Sequence, residues 1–483
     1  MVAVSRRRTF SLLIAASFAL SIAAPSFDGR ADVKASINKS TAKPDAPLPL
    51  SIGIQRATLD NGLRVVMNVD RSSPTIAFAV TYDVGSRDEE PGKTGFAHTF
   101  EHLMFGATKN LKEGQLDELI IGRGGFLSAN TAVDFTNYYE VLPENELALG
   151  LWLEAERMRF LDVNEKSFAA ERKIIEEEHR LRISNAPYGR AYWHLQEVAF
   201  DGCFAYAHPA PGAFEDLSRA QLPWVRDFHA AHYGPNTAVL ALSGDFDPDM
   251  AMTLVHKYFD SIPRIIAKSF VEPTIAEPKA ERREVIDDRL ARVPALTYGF
   301  VLPKPLSREH DALQFAAMIL GDGERARLPA LLVRDKSLAT LATASIDEFN
   351  FLRGPGLLRM EVRLTEKATV AEVEKHVDAT LLDLATRPPT PEEMLRARRR
   401  LETALANRLA WTRDRAIDLG KYELAFGDAK LLTRAFDRIA AVTADDVQKA
   451  VAKYLDKTHR SVIESRPVAK PEGNVATASG GAQ

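Results

Sequence analysis

One stretch limits what this chain can fold into more than any other: Gly95-Phe96-Ala97-His98-Thr99-Phe100-Glu101-His102-Leu103-Met104-Phe105. His98 and His102 stand four residues apart, so on a helix they share a face one turn from each other. Glu101, three residues after His98, projects to the same side. The flanking residues Phe96, Ala97, Phe100, Leu103, Met104 and Phe105 are apolar and imply a buried helix. Two imidazoles and a carboxylate would be costly to bury there without partners. Two imidazoles so placed can grip one zinc ion, and Glu101 can reach a water beside the ion without ligating it. The fold must therefore provide a packed layer for this helix and a third ligand from elsewhere, because a catalytic zinc takes three protein ligands and keeps one position open.

The run Glu171-Arg172-Lys173-Ile174-Ile175-Glu176-Glu177-Glu178-His179-Arg180 supplies candidates for that ligand. Glu171 and Glu178 are seven apart and share a helical face. Periodicity alone does not choose among Glu171, Glu176, Glu177 and Glu178, and a solvated helix face is the plain alternative.

His98-x-x-Glu101-His102, an inverted zincin pattern, followed at this distance by Glu171-Arg172 and Glu178, resembles the M16 peptidase family of pitrilysin, insulin-degrading enzyme and mitochondrial processing peptidase. The resemblance implies Glu178 as third zinc ligand, Glu171 as a supporting carboxylate behind the ligands, and Glu101 as general base. The stretch Gly124-Gly125-Phe126-Leu127-Ser128-Ala129-Asn130-Thr131-Ala132-Val133-Asp134-Phe135-Thr136-Asn137-Tyr138-Tyr139 is similar to the family's substrate-binding strand, with Ser128 where Asn is usual. Ser128, Ala129, Asn130 and Thr131 would then pair with an extended substrate by strand addition. The matches cover nearly the whole mature chain. They imply two similar α+β units, each an α/β roll with a mixed sheet packed against helices. They also imply a zinc-dependent endopeptidase acting on peptides and unfolded segments inside a two-subunit chamber. A non-catalytic scaffold subunit of the same fold is the competing reading, and retention of His98, Glu101, His102 and Glu178 weighs against it.

The segment Leu332 to Leu341 departs from the family pattern. Self-sufficient relatives supply an Arg and, seven residues on, a Tyr that hold substrate near zinc. Arg334 fits the first position, but Thr340 or Leu341 stands in place of the Tyr. The chain would thus need a second M16-like subunit, or act as a homodimer.

The remaining sequence frames these expectations. Residues 1–24, with Arg6-Arg7-Arg8 ahead of an apolar run, read as an export signal of the Sec or twin-arginine type, and the protein as periplasmic. Residues 25–50 read as a disordered leader. Residues 51–269 form the zinc-bearing half, 270–284 a proline-containing linker, 285–467 a second half without a metal motif, and 468–483 a disordered tail. A hydrophobic content of 46%, a charged content of 27% and a net charge of −4 suit a globular protein and give no support to nucleic-acid binding. Cys203, the single cysteine, cannot form an intrachain disulfide and reads as a buried structural residue. Asp60-Asn61-Gly62 marks a hairpin between strands at 54–59 and 63–69. A helix is expected over 217–233. His229 and His232 on that helix read as structural, and His208-Pro209 as a loop. Trp152, Trp193, Trp224 and Trp411 read as core or interface residues.

Overall fold

The turn at Asp60-Asn61-Gly62 opens the first sheet. Gly62 takes φ of 88°, which a residue with a Cβ adopts only with strain, and the Asn61 side chain accepts from the Leu63 amide at 3.1 Å. This joins β1 (Gln55–Thr58) to β2 (Arg64–Val69) as an antiparallel pair. With β3 (Thr75–Tyr82), β4 (Phe126–Thr131), β5 (Thr136–Pro143) and β6 (Ala238–Gly244), they form a six-stranded sheet of order β1-β2-β6-β3-β5-β4. The second sheet holds β7 (Arg282–Asp288), β8 (Ala295–Val301), β9 (Ala339–Ile346), β10 (Leu357–Leu364) and β11 (Arg460–Pro467) in the order β7-β11-β8-β10-β9. Apart from β1, the two orders are the same. The pairing senses also match: β2 with β6 and β7 with β11 are parallel, and every other pair is antiparallel. Two α+β rolls of one topology, mixed sheets packed with helices, are what the sequence leads one to expect.

The computed structural model describes residues 52–267, 272–347 and 352–468. The expected export signal, the leader and the tail beyond 468 lie outside the described residues. Among those described, no helix is long and apolar enough to cross a membrane.

Packing ties the two halves together by exchanging a helix each. On one face of the first sheet, Ile76, Phe78, Val80 and Tyr82 join the core formed with the helices Phe96–Leu103, Leu147–Phe160 and Pro248–Phe259. On the other face, Ala77, Ala79 and Ala241 receive Ala416, Leu419 and Leu424 from the helix Thr412–Phe426, which belongs to the second half of the sequence. Gly420 permits the close approach: a Cβ there would sit 2.7 Å from the Thr81 hydroxyl. Reciprocally, Ala191, Leu195 and Val198 of the helix Gly189–Ala199 pack with Ile286, Leu357 and Ile463 of the second sheet. Sequence periodicity sees an apolar stripe but not which sheet receives it.

Three local readings need correction or addition. The stretch 217–233 is two helices, Phe214–Arg219 and Leu222–His232. Pro223 lies in the first turn of the second, where its missing N–H costs nothing, and it cannot continue a helix from the preceding one. The helix Pro248–Phe259, capped by Asp247, is absent from the sequence reading. Of the two places read for Trp411, core or interface, its 67% exposure excludes the core. Cys203 is buried, as expected.

Candidate metal centre

The helix Phe96–Leu103 starts from Gly95, whose φ of 86° lets the chain turn sharply into the helix. Phe96, Ala97, Thr99, Phe100 and Leu103 are buried, and Phe100 stacks on His229 at 5.1 Å between ring centroids. This packing leaves His98, Glu101 and His102 on the remaining face. The second contributing helix, Glu165–His179, begins at Asn164, whose side chain accepts from the Lys166 and Ser167 amides. Its direction is set by Phe168 and Ile175, which are buried, so that Glu171 and Glu178 face the first helix.

His98, His102 and Glu178 each offer a ligand atom, and these atoms lie within 4.8 Å of one another. Nε2 of His98 is 3.7 Å from Oε1 of Glu178, and Nε2 of His102 is 3.4 Å from its Oε2. The two imidazoles stand nearly perpendicular, 4.9 Å apart. Nδ1 of His102 faces Oε2 of Glu171 at 3.5 Å. Arg182, in the single wide helical turn Arg180–Ser184, pairs with Oε1 of Glu178. Nothing in the sequence pattern marks Arg182, because its position depends on how that last turn winds.

The electrostatics follow from this crowding. Burial, then the neighbouring His102, pushes the His98 imidazole down to about 3, so it stands neutral with a free lone pair. Burial also opposes charge on His102, but hydrogen bonds to Glu171 and Glu178 prevail and push it up to about 9. Glu178 is desolvated, yet His102, His98 and Arg182 hold it down at about 2, an ionised carboxylate. Burial raises the Glu101 carboxyl, countered by His102 and by a hydrogen bond from Thr131 at the end of β4. Two imidazole nitrogens and one carboxylate oxygen within this span are the donor set and count of a catalytic zinc site, so these residues fit a zinc ion. Among the described residues, no second group of this kind gathers as closely.

β4 ends the first sheet: it pairs with β5 on one side, and among the described residues no strand covers its other edge. Ser128, Ala129, Asn130 and Thr131 on it are half-buried. Arg334 lies on the separate turn Pro329–Asp335, is exposed, and pairs with its neighbour Asp335 at 2.7 Å. Among the described residues, it is not one of the group that gathers for a metal.

Comparison with known proteins agrees with the fold. Residues 64–189 match the family described as Insulinase (Peptidase family M16), and residues 220–401 match that described as Peptidase M16 inactive domain. The chain is 32% identical to the zinc protease PqqE of Helicobacter pylori over 66% of its own length and 74% of that protein's. It is 26% identical to an uncharacterized zinc protease of Streptomyces coelicolor, over 86% of this chain and 88% of the other. A crystal structure of a protease from Helicobacter pylori superposes with a TM-score of 0.81 at 26% identity, covering 86% of this chain and all of that one. The periplasmic protease PqqL of Escherichia coli has a TM-score of 0.69 at 18% identity, over 87% of this chain and 48% of that one, a likeness of fold. The chain belongs to the M16 peptidase family.

Proposed function

We propose that this chain is a zinc-dependent endopeptidase that cleaves peptides and unfolded segments. The observation that carries this reading is the meeting of His98, His102 and Glu178, with Glu101 on the same helix and the open edge of β4 ending beside it. Zinc held by those three residues would supply a Lewis acid that polarises the scissile carbonyl. Glu101 takes the proton of the attacking water and returns it to the leaving amine, and its burial favours that exchange by raising the carboxyl above its ordinary range. Glu171 orients His102. Ser128 to Thr131 bind an extended substrate through main-chain hydrogen bonds, which asks little of its sequence.

The similarity to enzymes named zinc protease supports this reading. A non-catalytic reading draws on a 26% identity to human cytochrome b-c1 complex subunit 1, mitochondrial, across 84% of that protein. The complete donor cluster favours catalysis. In this reading the 51–269 half holds the site, the linker expected over 270–284 ends where β7 begins at Arg282, the second half runs on to 467, and a second M16-like chain or a second copy completes the chamber. The leading 24 residues direct export to the periplasm, and a relative named as a periplasmic protease supports that destination. The test is cleavage of an unstructured peptide by the mature chain, with its partner if one copurifies, before and after chelation and zinc return. His98→Ala and His102→Ala should each abolish stoichiometric zinc in metal analysis. Full zinc content in both variants, or cleavage untouched by chelator, would reject the site.

A further inference from the structure

The first amide donors of the helix Phe96–Leu103 have no partner inside the helix; one buried carboxylate meets two of them, and a second holds the residue before the cap. Glu89, with its side chain fully buried, accepts from the Gly95 amide through Oε2 and from the Ala97 amide through Oε1, both at 2.8 Å. Asp216 accepts from the Thr94 amide at 3.2 Å and from the Thr94 hydroxyl at 2.7 Å. Glu89 is held in turn by His208, whose Nε2 lies 3.1 Å from Oε2 of Glu89 and whose Nδ1 lies 2.6 Å from the Phe204 carbonyl oxygen. Both ring nitrogens face acceptors, and only the imidazolium carries a proton on each. The helix therefore begins on a buried Glu89–His208 ion pair.

The segment carrying His208 and Asp216 also reaches the other ligand helix. The Phe214 ring sits 5.6 Å from the His179 ring and 5.0 Å from the Arg180 guanidinium, directly after Glu178. Pro211 lines a small cavity with His98, Glu178 and Arg182. Two glycines let the segment lie against the first helix. A Cβ on Gly212 would fall 2.3 Å from the Gly95 nitrogen, and one on Gly95 would fall 2.8 Å from Leu217.

We infer that residues 208–217 are a brace that sets the spacing between the two ligand-bearing helices, and that Glu89, His208 and Phe214 are positioning residues for the metal site. This rests on the zinc reading above. One end of the brace fixes where His98 starts its turn, and the other fixes the end of the helix that presents Glu178. Glu89 holds backbone amides, His208 holds Glu89 and a backbone carbonyl, and Phe214 holds the two residues after Glu178, so their effect passes through backbone placement.

The experiment is zinc affinity by competition with a chelating dye, together with the visible absorption of the cobalt-substituted protein, which reports coordination geometry. Glu89→Gln replaces one acceptor oxygen by an amide that cannot accept, and should weaken zinc about tenfold or more, the scale seen when groups orienting metal ligands are lost. It should also alter the cobalt spectrum. Phe214→Ala, at a half-buried position, should move both readouts in the same direction, which keeps the test decisive if Glu89→Gln does not fold. Leu384→Ala, in the second core, serves as the control for lost stability and should leave zinc affinity unchanged. Zinc affinity within about twofold of wild type and an unchanged cobalt spectrum, in whichever of the two brace variants fold, would overturn the brace. A wild-type chain that binds no zinc would instead reject the metal reading itself.

Discussion

Nδ1 of His102 lies 3.5 Å from Oε2 of Glu171. The other ring nitrogen faces Glu178 at 3.4 Å, so carboxylates flank the ring on both sides. Removing the outer carboxylate should free the ring to rotate and lower its basicity. Glu171→Ala is expected to weaken zinc by about 10–100-fold while leaving the fold intact, since Glu171 is only partly buried. A competition titration checks this, and wild-type affinity in the variant would remove Glu171 from the site.

Glu101→Gln keeps the size and the helix but cannot take a proton. Zinc stoichiometry should be unchanged, and kcat should fall by about 10²–10⁴-fold, the usual contribution of a general base. Turnover near the wild-type rate at saturating peptide would show that another group moves the proton.

What the sequence discloses and what it hides divide along physical lines. The His98 to His102 helix is legible because its apolar flanks and its polar face repeat at helical spacing within eight residues. The hairpin at Asn61-Gly62 is legible because a positive φ needs such residues. Glu178 is separable from its acidic neighbours only by family resemblance, since periodicity treats Glu171 and Glu178 alike. His208 reads from sequence as a loop residue, yet it is buried against Glu89, 119 residues away. Asp216 caps Thr94 across 122 residues. Contacts of that range leave no local pattern. The exchanged helices are hidden for the same reason: an apolar stripe on Gly189–Ala199 fits either sheet equally well.

That exchange makes a stability prediction. Leu195 is fully buried and packs from the first half of the chain onto the second sheet, where a Cβ on Gly299 would meet it at 3.0 Å. Leu195→Ala should cost about 2–5 kcal/mol, the range for a buried Leu cavity, and should lower the stability of both halves in one transition. Denaturant melts followed by far-ultraviolet circular dichroism and by tryptophan fluorescence should coincide. Separated transitions would mean that the halves unfold independently.

A second link between the halves depends on pH. His194 bridges Glu197 on its own helix and Glu284 on β7, at 2.6 and 2.7 Å. The hydrogen bond to Glu197, then the one to Glu284, outweigh partial burial and push the imidazole up to about 9. A raised folded value means that the stabilisation is fully present below the unfolded histidine value of about 6.5 and is lost as pH rises through about 9. The groups are partly exposed, so the effect is small. His194→Ala should lower the Tm at about pH 6 and make little difference near pH 10. An equal shift at both values would assign His194 a packing role instead.

The last prediction concerns what this chain lacks. Arg334 pairs with its neighbour Asp335 and stands exposed, and Thr340 or Leu341 occupies the place of the Tyr expected seven residues on. The oxyanion formed on peptide attack needs donors aimed at it, and losing one such donor costs about 10²–10³-fold in rate. A homodimer of this chain would keep the zinc ligands and Glu101 but leave that position empty. It should therefore bind peptide along Ser128 to Thr131 and cleave slowly. A second M16-like chain carrying the Arg and Tyr should raise kcat by about that factor without changing zinc content. The measurement is kcat for the purified chain alone and after mixing with a copurifying or co-encoded partner. A homodimer already at full rate and indifferent to the partner would reject the idea and return the search for the oxyanion donor to this chain, with Arg182, already on Glu178, as the first side chain to replace.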